Sequence, residues 1–159
     1  MISVIQAVEE AILTQLKPSV PTVQVLAFPN DPTELGHPVV GKQIYVGFKS
    51  KSMSKPSTGL IGGRVKPQEC TLQYELILRM ADLRSHQSSY PVLDAIEQSL
   101  IGFRPDIGTE RHLLTSPLYG IENGFVDFGT GLWVYSMTFG IDAVFTSNTQ
   151  PSWGKPISK

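Results

Sequence analysis

Tyr90-Pro-Val-Leu-Asp-Ala-Ile-Glu-Gln-Ser-Leu-Ile-Gly-Phe-Arg-Pro105 and, beyond a loop, Gly131-Leu-Trp-Val-Tyr-Ser-Met-Thr-Phe-Gly-Ile-Asp-Ala-Val-Phe145 form the stretch whose reading decides the fold. In its first part Pro91 falls in the opening turn of a helix, where its missing N–H costs nothing. Leu93, Ile96 and Leu100 then line one helical face, and Gly102 is placed to end the helix. In the second part Trp133, Tyr135, Met137, Phe139, Ile141, Ala143 and Phe145 share one side of a strand. Leu132, Val134, Ser136, Thr138, Gly140 and Asp142 share the other, because side chains alternate along a strand. A one-faced helix followed by a one-faced strand predicts a helix layer lying on a sheet.

The rest of the chain extends that pattern. Ser3 followed by Gln6 reads as a capping box. Val4, Ile5, Val8, Ala11, Ile12 and Leu16 recur at helical spacing, and Pro18 is expected to stop the helix. Strands are expected over Pro21–Pro29, Gly41–Lys49 and Glu69–Leu83, with two short ones near His112–Ser116 and Ile121–Phe128. Cys70, Leu72, Tyr74, Leu76, Leu78 and Met80 alternate along the third of these. The fold class expected is α+β, a mostly antiparallel twisted sheet with two helices packed on one face. Residues 1–147 read as one domain, and 148–159 as an extended C-terminal tail. A chain of 159 residues normally forms one domain with a sizeable core.

Composition excludes more than it assigns. The net charge of -1 offers no global attraction to nucleic acid or to an anionic membrane. Charged residues make up only 17% of the chain, against about 25% in a typical soluble domain. A surface so sparsely charged is suited to burial against neighbours. Cys70 is the sole cysteine, so neither an internal disulfide nor a cysteine-rich metal site can be built. The N-terminal residues carry no signal-peptide pattern, and no apolar run approaches the roughly 20 residues of a membrane helix. Folding in a cytoplasm, with no membrane partner, is the expectation.

Catalytic patterns do not assemble either. His37, His86 and His112 are scattered among loops without metal-ligand spacing. Gly59-Leu-Ile-Gly-Gly-Arg-Val-Lys66 lacks the order of a phosphate loop and leads into a strand, not a helix N-terminus. Asp106, Glu110, Glu122 and Asp127 read as solvated turn carboxylates. Trp133 and Tyr135 read as core. No enzyme activity, cofactor or metal is expected.

One patch is distinctive. Residues 50–67 are rich in Ser, Lys, Gly and Pro and lack apolar periodicity. Lys49, Lys51, Lys55, Arg64 and Lys66 punctuate this stretch with no acidic residue among them. It reads as a long basic loop, suited to ordering against an acidic partner or to facing DNA. Met53, Leu60, Ile61 and Val65 favour a protein contact.

Two motifs carry a family resemblance. Val92-Leu-Asp-Ala-Ile-Glu-Gln-Ser-Leu-Ile-Gly-Phe-Arg-Pro105 resembles the helix of bacteriophage tail terminator proteins of the Mu-like prophage family. Gly131-Leu-Trp-Val-Tyr-Ser-Met-Thr-Phe139 resembles their closing strand, and Val23-Gln-Val-Leu-Ala-Phe-Pro29 their first strand. What the resemblance implies is a structural virion protein in the tail or neck, assembled in the host bacterial cytoplasm. It implies a homo-hexameric ring that caps the tail tube and stops its polymerisation. Its partners would be the tube protein, the sheath protein if the tail contracts, and the neck or connector protein. The basic loop and the sheet edges would be its ring-interface or lumen surfaces, with a transient contact to DNA in the lumen. Two alternatives remain open: a neck or head-tail connector completion protein, and a nucleic-acid-binding module using the basic loop.

Overall fold

Ser3 Oγ accepts the Gln6 N–H at 3.1 Å and opens helix α1, Val4–Ser19. This is the first half of the expected capping box. The computed structural model describes residues 3–31, 33, 41–54, 60–61, 64–65, 68–81, 86–127 and 132–145. Helix α1 passes through Pro18, where a stop was expected, and ends one residue later. Pro18 sits in the last turn, so it removes a single backbone donor near an end that frays anyway. The Val20 N–H, bonded to the Leu16 carbonyl at 3.1 Å, closes the helix. Val8, Ile12 and Leu16 fall one turn apart and are completely buried.

Helix α2, Tyr90–Leu100, begins with Pro91 as expected. Its buried line is Val92, Ile96 and Leu100. The expected Leu93 lies on the flank, packed partly against the core. Gly102, at φ +83°, turns the chain away, and its N–H donates to the Leu118 carbonyl at 2.8 Å. Only glycine takes such a left-handed backbone without strain.

Five strands form the main sheet: β1 Gln24–Ala27, β2 Lys42–Met53, β5 Gln68–Ala81, β7 Leu132–Phe145 and β6 Tyr119–Asp127. Their order across the sheet is β1-β2-β5-β7-β6. β1 runs parallel to β2, and the remaining pairings are antiparallel. The ladder of β5 and β7 is continuous from Gln68↔Phe145 to Ala81↔Leu132. The expected class, α+β with a mostly antiparallel sheet and two packed helices, is the one found. The even-numbered residues of β5 and the odd-numbered residues of β7 face the helices and form the core, with Tyr74 and Phe139 its largest members. Tyr74 ties the layers together by donating its hydroxyl to the Ile5 carbonyl at 2.9 Å. Burial of that ring and hydroxyl raises the Tyr74 pKa.

Two local expectations change. β2 extends to Met53, four residues into the stretch read as loop, because Met53 still pairs with Cys70. Beyond it, β3 Leu60–Ile61 pairs with β4 Arg64–Val65. The strand expected near His112–Ser116 is a 3-10 turn, Gly108–Leu113, followed by a single bridge from Leu114 to Ala143. Pro117, which lacks a backbone donor, follows closely and cannot extend a ladder. The expected C-terminal tail lies outside the described residues.

Candidate assembly surfaces

Asp142 and its hydroxyl partners form a structural lock. Asp142 Oδ1 accepts the Tyr119 hydroxyl at 2.7 Å and the Thr71 hydroxyl at 2.9 Å. Its backbone N–H donates to Ser116 Oγ at 2.9 Å. This side chain therefore fastens the 115–119 turn onto β7 and β5. Desolvation, and then the Asp142 carboxylate, raises the Tyr119 pKa. Desolvation also raises the Cys70 thiol, which leaves it a buried hydrophobe and not a nucleophile.

Of the polar residues singled out in the sequence, Asp106 and Glu110 come together on the rim of one groove; the others do not converge. His112 is exposed, with Nδ1 2.9 Å from the Thr109 carbonyl. His37 lies outside the described residues, and of His86 only the backbone, in the 3-10 turn His86–Ser89, is described. Asp106 Oδ1 accepts the Gly108 N–H at 3.2 Å, a local turn bond. Glu122 stands exposed on β6. Asp127 ends that strand, with its side chain not described. Among the described residues no group of His, Cys, Asp or Glu could hold a metal ion.

The basic patch is divided by a bulge. The register of β2 against β5 shifts between Phe48 and Ser50. Lys49 lies on the helix-free side, and its Nζ reaches across β5 to Thr138 Oγ1 at 3.3 Å. Lys51 pairs opposite Leu72 on the helix side, with its Nζ 3.9 Å from the centre of the Phe145 ring. Residues two apart in a regular strand share a side; one inserted residue puts them on opposite sides. Arg64 lies on β4, its side chain not described, while Lys55 and Lys66 lie outside the described residues.

Two surfaces emerge that sequence spacing did not disclose. The first is the β6 edge of the sheet. Ile121, Phe125 and Val126 are 44%, 48% and 59% exposed, and Ile101, at the end of α2, is 55% exposed. Ile101 approaches Gly120 from the end of α2. The Phe125 ring stands edge-on to Tyr135, with centroids 5.6 Å apart, so part of it belongs to the core and part remains open. The second is a groove of about 650 Å³ between α1 and residues 103–110. Val4, Ala7, Ala11, Phe103 and Ile107 supply its apolar lining, while Glu10, Asp106 and Glu110 crowd its rim alongside Arg104. The sequence marked the sheet edges as a class of surface. It held no signal that β6 is one of them, since strand order depends on distant pairing.

Among solved structures, the chain is similar to a component of the virion of a native gene transfer agent particle. Identity is 14% and the TM-score 0.61, covering 91% of this chain and all of that one. It is also similar to the sheath/tube terminator of an extracellular contractile injection system, in its extended state. There identity is 12% and the TM-score 0.53, and all of this chain covers 62% of the longer one. These likenesses establish a shared fold. Comparison with curated proteins found no match. Residues 12–159 match the Gp37 protein family, which is nearly the whole chain. The chain therefore belongs to the Gp37 protein family.

Proposed function

We propose that this chain is a bacteriophage tail terminator, a structural virion protein that caps the tail tube and ends its growth. The observation that carries the reading is the fold shared, along this chain's whole length, with a protein that is a sheath/tube terminator. The open apolar edge of β6 supports it. Its exposed apolar side chains flank the strand on both sides, Ile121 over Gly140 on the helix-free side and Phe125 against Tyr135 on the helix side, and exposed apolar side chains along a sheet edge suit a contact with another protein. The β1 and β6 edges differ in length and in side chains, so a ring built through them would be head-to-tail, with a different patch at each end of the contact.

In this reading the subunits close into a homo-hexamer on the last tube ring. One ring face resembles the next tube layer; the other cannot recruit a further one. The tube protein, the sheath protein of a contractile tail and the neck protein are its partners, and the work is geometric, without catalysis. Lys49, Lys51, Lys55, Arg64 and Lys66 act as ring-interface or lumen contacts. Lys49 and Lys51 leave the sheet on opposite sides, so in this reading they would meet different neighbours.

The test pairs a soluble assay with particle microscopy. Phe125→Ser with Val126→Lys should leave the monomer folded, weaken ring formation in light scattering, and yield particles with overlong tubes. Normal tails with leaking heads would reassign the protein to the neck. Wild-type rings and wild-type tail lengths would remove β6 from the interface.

A further inference from the structure

We propose that β6 of one copy adds as an antiparallel strand to the outer edge of β2 in the next copy, over Lys49–Met53, with Phe125 opposite Lys51 and Asn123 opposite Met53. The inference deepens the ring reading above and rests on it for the identity of the partner, a second copy of this chain.

The first support is the direction in which the backbone groups point. The Ser54 N–H donates to the Glu69 carbonyl at 3.0 Å, so Ser54 and Ser52 turn their backbone groups toward β5. Alternation turns those of Met53 and Lys51 the other way. Among the described residues, β1 pairs with that side of β2 only from Gln43 to Val46. At the far edge of the sheet the Asp142 carbonyl accepts the Thr115 N–H at 2.9 Å, so the even-numbered residues of β7 face β6. Glu122 and Gly124, paired with Thr138 and Ser136, therefore face inward. Asn123 and Phe125 turn their backbone groups outward.

The second is agreement of side, register and direction. Lys51 and Met53 pair with Leu72 and Cys70, and Asn123 and Phe125 pair with Met137 and Tyr135. All four stand on the helix side, and directly opposed residues of an antiparallel pair share a side. Between its two bulges β6 has only these two helix-side residues, and β2 has only two beyond its own bulge. A single register matches both pairs. In it Gly124 falls opposite Ser52 and Asp127 opposite Lys49, so β6 ends before the part of β2 that β1 covers. Three successive antiparallel pairings make β6 antiparallel to β2. A copy set alongside by rotation about an axis along the strands therefore presents β6 the right way round.

The third is charge and apolar surface. Residues 48–53 contain Lys49 and Lys51 and no acidic residue. Residues 119–127 contain Glu122 and Asp127 and neither lysine nor arginine. Opposite charge steers the two edges together. Two-fold pairing of β6 with β6, or of β2 with β2, would oppose like charges instead. Met53 and Phe125 are each about half exposed. The register makes them diagonal neighbours on the helix side, and it sets the stem of Lys51 beside the Phe125 ring. An edge strand is a ready template for another strand, and main-chain hydrogen bonds supply the affinity of such strand addition.

Across the joint Ser52 and Gly124 form a non-hydrogen-bonded pair, with Cα atoms about 4.5 Å apart, within reach of a disulfide. Both positions accept a cysteine: Ser52 is exposed, and a Cβ at Gly124 meets nothing within 4 Å. Cys70 is buried on the helix side and out of reach. Full-length Ser52→Cys/Gly124→Cys, oxidised with copper-phenanthroline in concentrated solution and in purified particles, should give a ladder of covalent oligomers on non-reducing gels. A mixture of the two single variants should give a dimer whose disulfide joins positions 52 and 124. Ser50→Cys/Gly124→Cys, two residues out of register, should link several-fold more slowly. Lys49→Asp should weaken association in light scattering several-fold, and adding Asp127→Lys should restore it; this arm stands if a cysteine variant does not fold. Dimers from Gly124→Cys alone would overturn the proposal in favour of two-fold pairing, and equal rates from the two double variants would overturn its register. Rings that form without the 52–124 link would overturn the strand pairing and leave the ring reading standing. A 52–124 ladder that runs past the hexamer without closing would do the reverse, and the absence of both oligomers and link would overturn both.

Discussion

Gly47 lies in the middle of β2 opposite Glu75, on the helix-free side of the sheet, with the Phe28 ring resting where its side chain would be. The Phe28 N–H donates to the Val46 carbonyl at 3.0 Å, which holds the ring there. A Cβ added at Gly47 would lie 2.6 Å from Phe28 Cε2, and closer still to Cγ and Cδ2. Carbon atoms pack best about 3.5–4.0 Å apart, so the ring would have to lift by more than an ångström. Gly47→Ala should therefore cost about 1–3 kcal/mol from overpacking, despite the roughly 0.5–1 kcal/mol that alanine gains over glycine in a strand. Phe28 is only half-buried, so Phe28→Ala should cost less than the 3–5 kcal/mol of a core phenylalanine, about 1–2 kcal/mol. With the ring gone, the new Cβ has nothing to strike. The double variant should then match Phe28→Ala to within about 0.5 kcal/mol, leaving most of the Gly47→Ala cost as coupling. Urea unfolding followed by far-ultraviolet circular dichroism measures all three, with an unchanged m-value required for the comparison. Costs that simply add would refute the claim that Gly47 exists to seat Phe28.

Other outcomes follow from the same packing. Burial raises the Glu9 pKa, so the folded chain favours the protonated acid. The resulting stability is complete below the unfolded-state pKa and is lost as pH rises through the higher folded-state value. Glu9→Gln should raise the melting temperature at neutral pH and lose that advantage in acid, as thermal scans across pH will show. Tyr74→Phe should cost about 0.5–1.5 kcal/mol for the lost hydroxyl bond to Ile5. It should also flatten the alkaline fall in stability, because the raised phenol favours folding below about pH 10 and loses that contribution as pH climbs through the folded-state value. Replacing residues 55–67 by a short Gly-Ser linker should leave stability within about 1 kcal/mol of wild type in urea, since loop length enters only logarithmically. Ser54 and Glu69 already meet by a 3.0 Å backbone bond, so β2 and β5 stay paired. In the proposed role this variant should fail to cap tails; normal-length tails would free the basic loop of that duty.

Periodicity is a local property, and what is local is legible in the order of the residues. Val8, Ile12 and Leu16 at helical spacing, and Tyr74 and Phe139 in two-residue alternation, specified which side chains turn inward. The helices, the long strands and the composition of the core followed. Pro18 and Leu93 show the limits even there. A proline in a last turn costs too little to end a helix, and a buried line can rotate by one residue when neighbouring layers decide its angle. The candidate site was far less legible. Lys49 and Lys51 sit at a spacing that promises one side, and a single bulged residue sends them to two. The β6 edge and the α1 groove exist because strands distant in sequence pair in the order β1-β2-β5-β7-β6, which leaves β6 outermost. Edges, bulges and grooves arise from pairing energies between remote segments, and no short window of sequence contains them. The amino-acid sequence by itself thus determined what this protein buries; only the tertiary structure decided what it holds out to others.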